Sequence, residues 1–231
     1  MIRKAMILAA GLGQRMRPLT DNLPKPMLSA GGKPLLQYHL EALAAVGVKE
    51  VIINLAYLGE KIRAFVGTGE QFGLKVFYSE EPEPLETAGA LLNALYLLGD
   101  EPFLLINGDV WTDYPLARLC SYLLADSSDA HLVLVPNPDF HPHGDFSPNA
   151  IGILENNPHL DQFTFAGISL VHPRLIKFYP NRRVKFPLGE VLKYGINQKR
   201  ISAEVYSGCW SDVGTPERLL VLDKQLNKIT D

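Results

Sequence analysis

Two short segments near the N-terminus carry residues suited to binding phosphate. The segment Gly11–Arg15 follows an apolar run and contains two glycines, Gly11 and Gly13, around Leu12. Glycine lets the backbone pass close to a phosphate chain with its N–H groups directed inward. Lys25 stands between two prolines, which stiffen the chain, and a preorganised cation needs little rearrangement as charge develops. Together the segments predict a phosphate site, although the glycines alone also suit a tight strand-to-helix turn.

Two aspartates in distant parts of the chain are candidates for a metal site. Asp109 follows Asn107 and Gly108 at the end of an apolar run, and Asp212 lies in the segment Trp210–Thr215. An aspartate after a strand often only caps a helix. Magnesium, however, prefers oxygen ligands and is often bound by one or two carboxylates together with phosphates and waters. Two carboxylates from separate strands would meet that requirement.

The elements that must position these residues alternate along the chain, which predicts an α/β fold. In such a fold a mostly parallel sheet is covered by helices, and ligands bind at the carboxyl ends of its strands, where Gly11 and Asp109 fall. Apolar runs predict strands at Ala5–Ala9, Glu50–Leu55, Lys75–Tyr78, Phe103–Asn107, His131–Val135, Ile151–Leu154, Phe163–Val171 and Ile201–Tyr206. Helical spacing predicts helices at Leu35–Ala45, Leu58–Phe65, Thr87–Leu97, Leu116–Ala125, Pro187–Gln198 and Pro216–Lys228.

The combination of the glycine segment with Pro24–Met27 resembles the signature of the sugar-phosphate nucleotidylyltransferases. This resemblance implies a Rossmann-like single domain over residues 1–231, with a nucleotide-binding half at 1–135 and a sugar-binding half at 136–231 that adds a smaller sheet. It further implies that the backbone of Gly11, Leu12 and Gly13 wraps a triphosphate with Asn107 nearby. Arg15 and Lys25 would be the catalytic cations, and Asp109 with Asp212 would hold Mg²⁺.

The segment Glu83–Ala90 resembles the base-recognition loop of that family, with Ala88 and Gly89 as small residues that would admit a planar base. Thr87 is a natural N-cap for the helix that follows. Glu83 is the candidate for the base edge, because a carboxylate accepts a hydrogen bond from N3–H of uracil or thymine. The N1–H of guanine would suit it equally well.

On the sugar side, the chain lacks the Glu-Lys-Pro motif of many relatives and has Asn156-Asn157-Pro158 instead. Segments around Asp145, Gly167 and Asp109 resemble the N-acetylmuramate-1-phosphate uridylyltransferases of cell-wall recycling. That likeness implies UTP and N-acetylmuramate 1-phosphate as substrates, with Asp145 and Gly167 lining the sugar pocket. The alternatives are a mannose-1-phosphate guanylyltransferase or another hexose-1-phosphate nucleotidylyltransferase, and a non-catalytic regulatory subunit that binds sugar nucleotides.

The net charge and the length of the apolar runs limit the kinds of partner that the protein could bind. The net charge of −3 provides no basic footprint for nucleic acid. No apolar run approaches the roughly 18 residues of a membrane span. We therefore expect a cytoplasmic protein that binds small phosphorylated molecules, neither nucleic acid nor membrane.

Overall fold

A seven-stranded sheet forms the centre of the protein in a computed structural model, which describes residues 2–157 and 159–230. Three further two-stranded sheets lie outside it. The strands in chain order are β1 (Lys4–Leu8), β2 (Ser29–Ala30), β3 (Lys33–Pro34), β4 (Glu50–Leu55), β5 (Lys75–Glu80), β6 (Phe103–Asn107), β7 (Val110–Thr112), β8 (Ala130–Val135), β9 (Ser147–Pro148), β10 (Leu154–Glu155), β11 (Thr164–Val171), β12 (Ile201–Val205) and β13 (Trp210–Asp212).

The central sheet has the order β12-β8-β11-β6-β1-β4-β5 and is mostly parallel. Strands β6, β1, β4 and β5 pair in parallel, as do β12 and β8, while β11 runs antiparallel to both of its neighbours. The predicted fold class is confirmed. Strands β11 and β12 of the second half join the central sheet, and the smaller sheets are the pairs β2–β3, β7–β13 and β9–β10.

Helices cover both faces of the sheet because its strands are apolar on both sides. The adjacent residues Met6 and Ile7 of β1 are fully buried in two different clusters. Ile7 packs in the cluster that contains Leu40, and Met6 in the one that contains Leu91. The helices are α1 (Leu35–Ala45), α2 (Gly59–Val66), α3 (Glu86–Leu98), α4 (Ala117–Ser121), α5 (Arg174–Lys177), α6 (Leu188–Asn197) and α7 (Pro216–Thr230), with 3₁₀ turns at Gln14–Met16, Lys25–Met27 and Glu70–Phe72.

Two predicted elements are only about half as long as the sequence pattern indicated. Helix α4 ends at Ser121 because the backbone is extended at Tyr122, which leaves Leu123 90% exposed while Leu124 packs against the core. The strand predicted from Ile151 contains only Leu154 of the predicted range. The Asn149 side chain accepts hydrogen bonds from the N–H groups of Ile151 and Ile153 at 3.1 and 3.0 Å, which holds this segment in a turn.

The carboxyl ends of the parallel strands meet along one edge of the sheet. Strand β1 ends just before the glycine segment, and β6 ends just before Asp109. Gly108 donates its N–H to the carbonyl of Leu8 at 2.9 Å, which ties the two strand ends together. Within the described residues, no helix has the length and apolar character needed to cross a bilayer. In the Asn156-Asn157-Pro158 segment, Pro158 lies outside the described residues.

Candidate active site

The glycine segment leaves the sheet at the end of β1 and forms one wall of an open cavity. The carbonyl of Gly13 accepts hydrogen bonds from the N–H of Met16 at 2.9 Å and the hydroxyl of Thr20 at 2.8 Å, which fixes the turn. This cavity, the loop cavity, has a volume of about 610 Å³. It is lined by Gly11, Leu12, Gly13, Gln14, Arg15, Met16, Lys25, Pro84, Glu86, Asp109, Lys185 and Gly214.

Lys25 and Asp109 form an ion pair at the junction of three cavities. The Lys25 ammonium donates to Oδ2 of Asp109 at 2.6 Å. Lys25 is only 9% exposed and its whole 3₁₀ turn is buried, so its ammonium needs a counter-ion or an anionic ligand. The sequence placed Lys25 on a stiff segment near phosphate, and the structure brings it to the loop cavity beside Arg15.

Asp212 reaches the same place from a distant part of the chain. Strand β13 runs antiparallel to β7 with Asp212 opposite Val110, and the N–H of Val213 donates to the carbonyl of Asp109 at 2.9 Å. The Arg218 guanidinium donates to Oδ2 of Asp212 at 2.7 Å. Both aspartates line a second cavity, the far cavity, of about 520 Å³.

The two aspartates suit a divalent ion that also binds phosphate. Within the described residues, no group of three or more His, Cys, Asp or Glu side chains is placed to hold a metal. A divalent ion held by Asp109 and Asp212 would therefore need further oxygen ligands, such as phosphates and waters. Two carboxylates on paired strands fit that requirement, and each already faces a cation, Lys25 or Arg218.

A third cavity, the inner cavity, of about 200 Å³, lies between the ends of β1, β4 and β5. Asn54 connects the three strands, since its Oδ1 accepts from the N–H of Ala9 and its Nδ2 donates to Glu81, both at 2.7 Å. The other oxygen of Glu81 accepts from the N–H of Leu85 at 3.0 Å. Burial raises the pKa of the Glu81 carboxyl, while these two hydrogen bonds act to lower it.

The sequence predicted Glu83 at the base edge, and the structure places Glu83 outside the inner cavity and Glu81 within it. Glu83 is exposed and is not among the residues that line the inner cavity, whereas Glu81 is buried and lines it. Glu81 lies directly after β5, so its side chain is held by the sheet edge, while Glu83 lies in the loop beyond it. The sequence offered one signal for Glu81, which is its position close to the end of a strand. Asn54 carries the same signal near the end of β4, and both residues were missed.

The start of α3 also differs from the prediction. The helix begins at Glu86 after the cap residue Leu85, so Thr87 is not the N-cap. The Thr87 hydroxyl instead accepts a hydrogen bond from the N–H of Leu188 at 2.7 Å.

Ala88 and Gly89 do not line the inner cavity. A Cβ on Gly89 would lie 2.4 Å from the carbonyl oxygen of Val184. Gly89 thus leaves room for a neighbouring chain segment, and the contact of Ala88 and Gly89 with a base stays a prediction.

The residues expected on the sugar side divide between two environments. Asp145 lines the far cavity, where its carboxylate accepts from the N–H of Phe165 at 2.8 Å and pairs with His141 at 3.1 Å. Gly167 is not among the residues lining that cavity, and a Cβ there would lie 2.8 Å from the Asn107 side chain. Gly167 therefore allows Asn107, which lines both the inner and the far cavity, to pack against β11.

Three adjoining cavities thus meet at Asp109. The loop cavity contains the glycine segment and cations, the far cavity contains the two carboxylates, and the inner cavity contains a buried hydrogen-bond acceptor. Such an arrangement, on the carboxyl edge of an α/β sheet, defines a phosphate-handling nucleotide enzyme. The model of the Nucleotidyl transferase family matches residues 4–229, and the chain belongs to that family.

Relatives and solved structures agree with this assignment. The chain is 44% identical over 94% of its length, and 95% of the relative's, to the N-acetylmuramate alpha-1-phosphate uridylyltransferase of Neisseria meningitidis. It is 32% identical to the mannose-1-phosphate guanyltransferase of Candida albicans, of which it spans only 62%. HddC from Yersinia pseudotuberculosis, complexed with GMP-PN, superposes with a TM-score of 0.77 at 26% identity, covering 97% of this chain and 99% of that one. A putative glucose-1-phosphate thymidylyltransferase from Bacillus anthracis shares the fold, with a TM-score of 0.86, 19% identity and coverage of 98% and 96%.

Proposed function

We propose that the protein makes UDP-N-acetylmuramate and pyrophosphate from UTP and N-acetylmuramate 1-phosphate. The 44% identity to an N-acetylmuramate alpha-1-phosphate uridylyltransferase over nearly the full length of both chains supports this choice of substrates. The observation that carries the chemistry is the meeting of Lys25, Asp109 and Asp212 beside the glycine loop. The resemblance of the sequence to enzymes of cell-wall recycling supports a role in that process, and we propose the cytoplasm, where nucleoside triphosphates are available, as its location.

In the proposed reaction an oxygen of the sugar phosphate attacks the α-phosphorus of UTP in line with the leaving group. The bond from the α-phosphorus to the bridging oxygen breaks, and pyrophosphate leaves with that electron pair. The sugar phosphate is itself the nucleophile, so no protein side chain need form a covalent intermediate. The protein's task is to position two polyanions that repel each other by kilocalories at short range and to stabilise the charge that shifts between them.

Each charged residue has a distinct part in that task. The N–H groups of the glycine segment and the guanidinium of Arg15 hold the triphosphate. Lys25 binds near the α-phosphate, where its buried ammonium exchanges its contact with Asp109 for one with phosphate oxygen. Asp109 and Asp212 would hold Mg²⁺, which when bound supplies electrostatic stabilisation of the phosphate oxygens and orients them.

The inner cavity is the proposed uracil site. Glu81 offers carboxylate oxygens inside it, and an ionised carboxylate only accepts hydrogen bonds. Uracil presents N3–H as a donor, and cytosine has no hydrogen at that nitrogen. The far cavity, with Asp145 among its lining residues, is the proposed sugar site.

The test is to incubate the protein with each of the four ribonucleoside triphosphates and dTTP, a panel of sugar 1-phosphates and magnesium, while measuring pyrophosphate release. The panel contains the 1-phosphates of N-acetylmuramate, N-acetylglucosamine, glucose and mannose. We expect the highest kcat/KM with UTP and N-acetylmuramate 1-phosphate. A higher value with GTP and mannose 1-phosphate would replace this assignment with the mannose-1-phosphate guanylyltransferase alternative, which the 32% identity to such an enzyme favours. Release of no pyrophosphate with any pair would favour a regulatory protein.

A further inference from the structure

Lys185 stands on the wall of the loop cavity that faces the glycine segment. It lines this cavity together with Arg15 and Lys25, although it lies far from both in sequence. Its side chain is exposed to the open cavity. The sequence pattern gave no reason to single it out, because a lysine in an irregular segment is ordinarily a solvated surface residue.

The backbone around Lys185 is fixed against the start of α3. The N–H of Phe186 donates to the carbonyl of Leu85 at 3.3 Å, and the carbonyl of Phe186 accepts from Ala88 and Gly89 at 3.1 and 3.2 Å. The missing side chain of Gly89 leaves room for the carbonyl of Val184. Contacts on both sides of Lys185 therefore hold its Cα in place, so that only the side chain must be ordered when a ligand binds.

The neighbouring cations in the same segment are paired, and Lys185 is not. Arg183 makes an ion pair with Glu190 at 2.7 Å, and Arg182 donates to the carbonyl of Lys177 at 2.5 Å. Among the described residues, Lys185 and Arg15 make no ion pair or side-chain hydrogen bond. Two unpaired cations lining one cavity raise its positive potential, which favours a polyanionic ligand.

We propose that Lys185 binds the β- and γ-phosphates of the nucleoside triphosphate and the pyrophosphate that leaves. This inference rests on the proposed function for the identity of the ligand. The loop cavity contains the glycine segment and Arg15, whereas Asp145 and Trp210 line the far cavity, so Lys185 faces the triphosphate and not the sugar. As the bond to the α-phosphorus breaks, negative charge gathers on the pyrophosphate, and a fixed ammonium there stabilises it.

The direct test is calorimetric titration of the full-length protein with pyrophosphate in the presence of magnesium. We expect Lys185→Ala to weaken binding about tenfold, as for loss of a charge-assisted hydrogen bond. Lys185→Arg should stay within about threefold of the parent, because a guanidinium keeps the charge. Lys193→Ala, at an exposed lysine of α6 that does not line the loop cavity, is the control for the change in net charge and should bind like the parent.

Steady-state kinetics gives a second readout that a purely structural role would not move selectively. Lys185→Ala should raise the KM for UTP and the inhibition constant of pyrophosphate, and leave the KM for the sugar 1-phosphate unchanged. Equal pyrophosphate binding by the Lys185→Ala and Lys193→Ala proteins overturns the inference. An equal increase in the KM for UTP and for the sugar 1-phosphate does so too. If the parent binds pyrophosphate through Lys185 but transfers no nucleotide, the proposed function fails alone. If it transfers nucleotide with pyrophosphate binding indifferent to Lys185, this inference fails alone.

Discussion

At the scale of single residues, the Lys25–Asp109 pair joins the proposed phosphate site to the proposed metal site. A buried ammonium and a carboxylate at 2.6 Å satisfy each other in the folded protein. Each is also the type of group that the reaction needs, one for phosphate oxygen and the other for a divalent ion. We infer that substrate and ion divide the pair between them, so that removal of either partner has a different kinetic signature.

Lys25→Ala removes a preorganised cation from the proposed α-phosphate site. We expect turnover to fall roughly a hundredfold, corresponding to about 3 kcal/mol, with the substrate saturating. The measurement is kcat from pyrophosphate release. The matched control is Lys33→Ala, which removes a lysine paired with Glu41 at 2.8 Å away from the cavities and should keep full turnover. An unchanged kcat in the Lys25 variant would remove this residue from the mechanism.

Asp109→Asn keeps the shape of the side chain and removes its charge. An uncharged amide is a poorer ligand for magnesium, so we expect the magnesium concentration for half-maximal activity to rise by about tenfold or more. Asp100→Asn, in the exposed pair of Asp100 with Lys177, serves as the control. A magnesium titration that superposes on that of the parent protein would show that Asp109 has a structural role only.

At the scale of elements, one polar chain of hydrogen bonds links the ends of three parallel strands. The Ala9 N–H after β1 fixes the orientation of the Asn54 amide in β4, and Asn54 then presents a donor to Glu81 after β5. Because Leu85 also presents an N–H donor, Glu81 must accept on both oxygens. These two donors at the sheet edge require a side chain with two acceptor oxygens, which is a carboxylate. The remaining lone pairs of Glu81 can accept hydrogen bonds from a ligand in the inner cavity.

Glu81→Gln tests whether this position needs two hydrogen-bond acceptor oxygens. The amide NH₂ would face a donor from either Asn54 or Leu85, and such a mismatch costs about 1–3 kcal/mol. We expect a loss of stability in that range in urea denaturation, together with a lower ratio of kcat/KM for UTP over CTP. Glu83→Gln, the exposed carboxylate two residues away, should change neither quantity. A Glu81 variant with parental selectivity would mean that the base is read elsewhere.

At the scale of the whole molecule, a buried histidine couples the fold to pH. His39 in α1 is 6% exposed, its Nε2 has no hydrogen-bond partner, and its ring is hydrogen-bonded to the backbone of Val110. Burial lowers the pKa of His39 to about 4, against a partial opposing effect of that hydrogen bond. The helix is therefore packed against β7 with a neutral imidazole between them.

The difference in the pKa of His39 between the folded and unfolded states predicts the direction in which stability changes with pH. The unfolded chain protonates His39 below pH 6.5, while the folded protein does so only near pH 4, so the unfolded state binds more protons in this window. Stability should fall as the pH is lowered from 6.5 to 4, by about 3 kcal/mol from this group. Urea denaturation across that range should show a weaker pH dependence in His39→Gln than in the parent. His159→Gln, at an exposed histidine, should keep the parental dependence.

Sequence alone was sufficient where structure is encoded locally. The bounds of α1, β4 and β6 agree with the prediction, because continuous apolar runs and helical spacing bury these elements whatever lies next to them. The glycine segment, Lys25 and Asp109 were recognisable for the same reason, since each adjoins the end of a strand or a stiff turn. Weaker patterns failed at Ile151, where side-chain hydrogen bonds hold a turn, and after Ser121, where the backbone becomes extended.

Only the tertiary structure decided which side chains share a cavity. Asn54 and Glu81 contact each other from the ends of different strands, and Lys185 shares the loop cavity with the distant Arg15, so periodicity carries no information about these neighbours. Glu83 and Glu81 have the same chemistry and differ only in where the chain turns after β5. Sequence determined the kinds of group available and the edge of the sheet where they gather. Packing of non-local segments determined which of them face a ligand, because burial and hydrogen-bond partners exist only once the chain is folded.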